Sequence, residues 1–263
     1  MLVAAPSLLL PTVTTHATEM VALLAILAAM LTFVEYNSHF PSFVEFRDAP
    51  PLNRIRFIAL FVTVVFLTII VKHGYEQTNL TAVMAGYGAR IGDWMDFPYS
   101  PVRLVILMLP YDAPTQTVDA LRIAAGVSYL IALLTVLTFL FVVRILGWPT
   151  GSGAFNVWVN LPLFDPTTGG DVVVRLQRDG RINVIIGILL PFIIPAVIKA
   201  ASEWVDPISL DNPQTLIWTV SAWSFLPASM IMRGVAMSRI AGLIEEKRRR
   251  AYANADAEAM QTA

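Results

Sequence analysis

The sequence predicts an all-α integral membrane protein, a bundle of about five transmembrane helices with its N-terminus outside and its C-terminus inside. Three observations carry this prediction. Hydrophobic residues make up 56% of the chain and charged residues only 14%, five long stretches hold no charge, and Lys and Arg gather in alternate connections between those stretches. Soluble domains carry roughly half apolar and a quarter charged residues, so this much apolar surface needs lipid to cover it.

The N-terminal residues 1–11 are apolar, with no basic region before them and no small-x-small cleavage pattern after them, and are expected to be a short uncleaved tail. The first two spans, 20–34 and 57–71, lie between Glu19 and Glu35 and between Arg56 and Lys72. Fifteen helical residues cover about 22 Å of a hydrocarbon core near 30 Å, so the flanking side chains must snorkel or the bilayer must thin. The third span, 123–143, is framed by Arg122 and Arg144. The fourth, 182–198, carries Pro191 and Pro195, which should kink it, and the fifth, 214–232, contains Pro227. Residues 1–250 therefore read as one polytopic domain, followed by a small-residue and polar tail, 251–263, expected to be solvated.

Orientation follows from the basic residues. With the N-terminus outside, thirteen of the 18 Lys and Arg fall inside and five outside, and four of those five are spread along the longest connection. Basic residues are retained on the cytoplasmic side, and bias in long loops counts least. Together with the lack of a targeting peptide, this points to a bacterial inner membrane.

The outer loop, 72–122, is too long for a simple turn. Leu80, Val83, Met84, Tyr87, Ile91, Trp94 and Met95 recur at helical spacing and predict an amphipathic helix, either lying on the outer membrane surface or packed on the protein's own spans. The eight residues between Pro101 and Pro110 would cover about 12 Å as a helix, too short to cross, and should be interfacial or re-entrant with Arg103 toward headgroups. On the inner side, Asp179-Gly180 between β-branched runs is a type I′ turn signal, so residues 171–184 are expected to form a β-hairpin, in competition with a full-length fourth span. Beyond the fifth span a helix can continue to Arg250, because Glu245 and Glu246 precede Arg249 and Arg250 by four residues.

Few residues suggest chemistry. The absence of cysteine excludes disulfides, thiolate metal sites and a cysteine nucleophile. A net charge of −1 leaves no global field for nucleic acid. The sharpest constellation is a repeated His-x-x-Glu, His16 with Glu19 and His73 with Glu76, which could converge on a divalent ion if the two helix ends were neighbours. Trp218 and Trp223 could hold a ring-shaped ligand such as a quinone or pigment, although no cofactor is expected. Lys199 and Glu203 are spaced for an ion pair at the outer end of the fourth span. Lys247, Arg248, Arg249 and Arg250 sit where anionic headgroups would meet them, each worth about 1 kcal/mol.

Small residues line one face of three spans: Ala22, Ala25 and Ala29; Ala124, Ser128 and Ala132; Ser221, Ser224 and Ala228. Such faces allow close helix contact in lipid. The five cores lack ionisable groups, which proton relays and ion paths normally use. The expected function is therefore a non-catalytic accessory or scaffolding subunit of a larger membrane assembly, in contact with lipids and other integral membrane proteins. A small-molecule carrier or channel using the proline-broken spans is the alternative, and a metal-dependent intramembrane enzyme the third.

Overall fold

A computed structural model of the chain describes residues 1–11, 15–39, 41–149, 156–165, 169–202, 204 and 210–262. In chain order the helices are α1 (Ala5–Leu9), α2 (Thr15–Asn37), α3 (Leu52–Lys72), α4 (Asn79–Met95), α5 (Pro101–Leu107), α6 (Thr115–Arg144), α7 (Val157–Asn160), α8 (Val172–Ala201) and α9 (Pro213–Thr262). Five of them, α2, α3, α6, α8 and α9, are long and apolar enough to cross a membrane. The protein is thus a multi-pass, helical integral membrane protein, as its composition predicts. Each spanning helix outruns its charge-free stretch, because the bordering polar residues continue the same backbone hydrogen bonds. The short spans therefore need less thinning than fifteen residues implied.

Two apolar cores divide the bundle. The first joins Val64 and Leu67 of α3, Val102 and Val105 of α5, Leu121 to Val127 of α6, and Ile217 to Trp223 of α9. The second joins Phe46, Leu52, Phe139, Trp148, Leu161, Leu176 and the α9 residues Met232, Met237 and Ile240. They mark opposite ends of the bundle, referred to below as the His73 end and the Trp148 end.

The expected hairpin at 171–184 does not form; among the described residues there is no strand, and Asp179-Gly180 lies within α8. The full-length fourth span wins for two reasons. Asp171 caps the helix start by accepting from the Val173 N–H at 2.7 Å, and Val173, Leu176, Gly180 and Gly187 then share one buried face. That face meets α9. A Cβ on Gly180 would stand 2.6 Å from Ser238 Oγ, and one on Gly187 2.8 Å from the Pro227 carbonyl. Gly180 is therefore needed for helix approach, where the hairpin reading needed it for positive φ.

The connection 72–122 is folded onto the bundle. Helix α4 is capped by Thr78, which accepts from the Thr81 N–H, and packs Gly88 and Gly92 against α3 and α6. A Cβ on Gly126 of α6 would stand 2.7 Å from Gly92 Cα. The amphipathic helix exists, then, but it is fastened to the protein's own spans. Leu80, Val83, Tyr87 and Trp94 stay exposed on its other side. Helix α5 starts at a Ser100 cap, buries Val102 and Val105, and turns Arg103 onto Asp96 at 2.7 Å, not outward to headgroups. Asp96 also receives Arg122 at 3.0 Å.

Helix α9 runs for 50 residues, past Arg250 and through the expected tail. Alternate alanines from Ala251 onward have high helix propensity, which is why the tail is helical while its described side chains stay exposed.

Candidate functional site

The feature that most resembles a binding site is a cleft at the His73 end between α5, α8 and α9. Its origin is in the prolines. Pro195 has no N–H, so the Pro191 carbonyl four residues earlier loses its helical donor. Trp223 of α9 supplies the missing bond, its Nε1 donating to Pro191 O at 3.2 Å, while its ring lies 5.7 Å from that of Tyr129. This cross-link holds α8 against α9 at mid-bundle. Beyond it a pocket of about 200 Å³ opens between Val105, Ile194, Pro195 and Leu226. A second, of about 290 Å³, lies between Leu109, Pro114, Asp112 and Asp211. Met108, Ile198 and Thr219 line both, so the two are one cleft. Joined, they reach the lower end of the size range of small-molecule sites.

The deep part of the cleft is apolar and its mouth is polar. Leu226, 53% exposed, places the deep part at the side of the bundle. At the mouth, Asp112 and Asp211 are exposed, Thr117 donates to Asp211 Oδ1 at 2.8 Å, and the Lys199 ammonium donates to the Leu109 carbonyl at 3.1 Å. Among the described residues, one cation and two carboxylates thus stand at the opening.

The Trp148 end holds a second set of buried charges, besides Asp96 with Arg103 and Arg122 at the His73 end. Glu45, 8% exposed, lies in the connection between α2 and α3 and receives both Arg233 Nε at 2.6 Å and Nη2 at 2.7 Å. Arg56 donates to the Ser229 carbonyl at 2.7 Å, Asn53 to the Glu45 carbonyl at 2.7 Å, and Arg239 to the Trp148 carbonyl at 3.0 Å. The Trp148 indole donates in turn to Pro50 O at 3.1 Å. These bonds strap the 41–50 connection across α9. They tie backbone carbonyls and one carboxylate together, and the arrangement is a fastening.

Asp171 extends it. Its carboxyl is held below the usual carboxylate range, first by the Val173 N–H and further by Arg248, whose Nη1 stands 2.8 Å away.

The residues singled out from sequence are dispersed. His16 and Glu19 are exposed near the start of α2, 3.7 Å apart. Glu76 pairs with Lys72 at 2.9 Å, and His73 Nδ1 lies 3.1 Å from Thr81 Oγ1 in the turn that caps α4. Among the described residues no group of three or more His, Asp and Glu stands close enough to hold a metal ion. Trp218 packs at the edge of the first core, and the Trp223 indole is committed to Pro191. Glu203 lies outside the described residues, and its expected partner Lys199 bonds Leu109. Of the basic cluster, Arg248 is turned onto Asp171 and Arg250 lies 3.6 Å from Glu246, while all four residues remain exposed.

Sequence reasoning missed the Glu45–Arg233 bond, which joins residues 188 positions apart, and the Trp223–Pro191 link. It also missed the glycines of the α8–α9 contact, although Gly234 and Ser238 stand in small-x-x-x-small spacing. Comparison with protein-family models, with curated proteins and with solved structures finds no match.

Proposed function

We propose that the chain is a non-catalytic accessory or scaffolding subunit of a larger membrane assembly. One observation carries the reading. None of the 18 most apolar consecutive residues of α2 is buried, although this helix is as long as a span. It is fastened at both ends. At one end it meets α1; at the other, Glu35 accepts from the backbone N–H groups of Ser42, Phe43 and Val44 at 2.9–3.1 Å. Among the described residues, its middle is packed against no other helix. A span held out in this way, with Ala22, Ala25 and Ala29 on one face, suits contact with another integral membrane protein.

The distribution of basic residues supports a bacterial inner membrane as the site, with α2 starting outside and the exposed Lys247, Arg249 and Arg250 near inner headgroups. Purification of the full chain in mild detergent tests the proposal. Co-purification of partner proteins in fixed stoichiometry is expected, and recovery of a homogeneous monomer alone would overturn it.

The cleft supports a second reading, a carrier for a small molecule passing beside Pro195. The chain has no cysteine of its own, so a Thr219→Cys variant gives a clean probe. A carrier path predicts labelling by a water-soluble maleimide in intact membranes, and full protection would end this reading.

A further inference from the structure

The cleft at the His73 end has a shape and a charge distribution that the assembly reading does not use. Its deep half, between Ile194, Pro195, Trp223 and Leu226, offers only apolar surface, since the polar atom of Trp223 is spent on Pro191. It opens sideways at Leu226, in a part of the bundle flanked by exposed Leu107, Ile193 and Val197. On a membrane-spanning helix such a side opening faces acyl chains. The other half ends at the rim of the bundle, where Lys199 reaches Leu109 and the carboxylates of Asp112 and Asp211 are exposed.

We propose that this cleft is a phospholipid site, in which one acyl chain of an ethanolamine-headed lipid lies along Pro195 and Trp223 while its headgroup meets the rim. Three features favour that occupant. A free fatty acid would bring one anionic end to a rim whose described residues offer two carboxylates and one ammonium. A purely cationic amphiphile would leave Lys199 without a counterpart. A zwitterionic headgroup matches both signs: its phosphate faces the Lys199 ammonium, and its primary ammonium, with three N–H donors, faces Asp112 and Asp211. A choline headgroup carries the same charge but has no N–H to donate, so hydrogen bonding separates the two. The chain's place in a bilayer supplies the ligand at high local concentration, and no conformational opening is needed for it to enter from the side.

The test uses the full chain in nanodiscs of defined composition, released into the gas phase for native mass spectrometry. With phosphatidylethanolamine and phosphatidylcholine at equal amounts, one tightly retained lipid per chain is expected. The ethanolamine form should be enriched about fivefold, the ratio one net hydrogen bond provides. Thr219→Trp, which fills the waist shared by both halves of the cleft, should remove the retained lipid while the helical circular dichroism and melting temperature stay near the parent's. The double variant Asp112→Asn, Asp211→Asn should keep a retained lipid and lose the enrichment. Retention unchanged by Thr219→Trp would overturn the site, and equal retention of both lipids by the parent would overturn the headgroup assignment. Displacement of the lipid by dodecylamine at stoichiometric amounts would overturn the choice of a bilayer lipid in favour of a free amine. Because no partner protein is present in this measurement, its outcome is separate from that of the assembly proposal.

Discussion

The first and the last spanning helices present the same chemistry to a reader of the sequence and behave in opposite ways. Helix α2 is the more apolar of the two and carries a regular face of Ala22, Ala25 and Ala29, yet none of its most apolar stretch is buried, whereas half of the corresponding stretch of α9 is. On α9 the small face of Ser221, Ser224 and Ala228 is buried, as is that of Ala124, Ser128 and Ala132 on α6. What separates them is the partner. In lipid, apolar surface gains nothing by meeting more apolar surface, so helices associate where backbones can approach and hydrogen bonds can form. Helix α9 has both: Gly234 fitted against Gly180, Trp223 bonded to Pro191, and Arg233 bonded to Glu45. Among the described residues, the anchors of α2 lie at its ends.

The sharpest way to break the comparison is to remove the charge that fastens α9. Arg233→Met leaves Glu45 buried without its cation and should cost about 3 kcal/mol, read as a lower midpoint in a denaturant titration of the detergent-solubilised chain. Replacement of both partners, Arg233→Met with Glu45→Leu, should recover much of the loss; a double variant no better than the single one would show that the bond is not the fastening.

Smaller effects should follow from the helix faces. Gly234→Ala places a methyl group against the α8 backbone and should destabilise by about 1–3 kcal/mol in the same titration. Ala25→Leu on α2 should leave the midpoint of the isolated chain unchanged and reduce recovery of the co-purifying partner. If Ala25→Leu destabilises the isolated chain as Gly234→Ala does, α2 packs within its own bundle and the contrast between the two helices fails.

The smallest effect concerns pH. Asp171 has a folded-state carboxyl pKa below its ordinary value, so its contribution is present above the unfolded value and is lost as pH falls through the lowered folded value. Thermal stability should therefore decline in the acid range, and Asp171→Asn, which retains an acceptor for the Val173 N–H, should flatten that decline.

These helices also show why some features were readable in advance and others were not. The five spans follow from local composition, because a charge-free run of this length has no stable place in water. Helix α4 followed from periodicity, but its location did not, since Gly88 and Gly92 are used by contacts with α3 and α6. Asp179-Gly180 misled for the same reason: the glycine serves Gly234 and Ser238, more than fifty residues away, while the turn reading weighed only its neighbours. The cleft was signalled by Pro191 and Pro195, whose lost donors had to be replaced from somewhere; that the donor would be Trp223 required the fold. His16, Glu19, His73 and Glu76 formed a pattern in the sequence that the described structure does not gather into one group.

The length of α9 has a mechanical consequence. Residues 249–262 continue the helix beyond the Arg248–Asp171 bond, at 1.5 Å per residue a projection of about 21 Å, and their described side chains are exposed. A rod of that length, rooted by Arg233 and Arg239 among the straps of the Trp148 end, acts as a mast. Anything bound at its tip is held at a set distance from the bilayer, and a tilt of the tip is delivered as torque to the contact between Gly180 and Gly234.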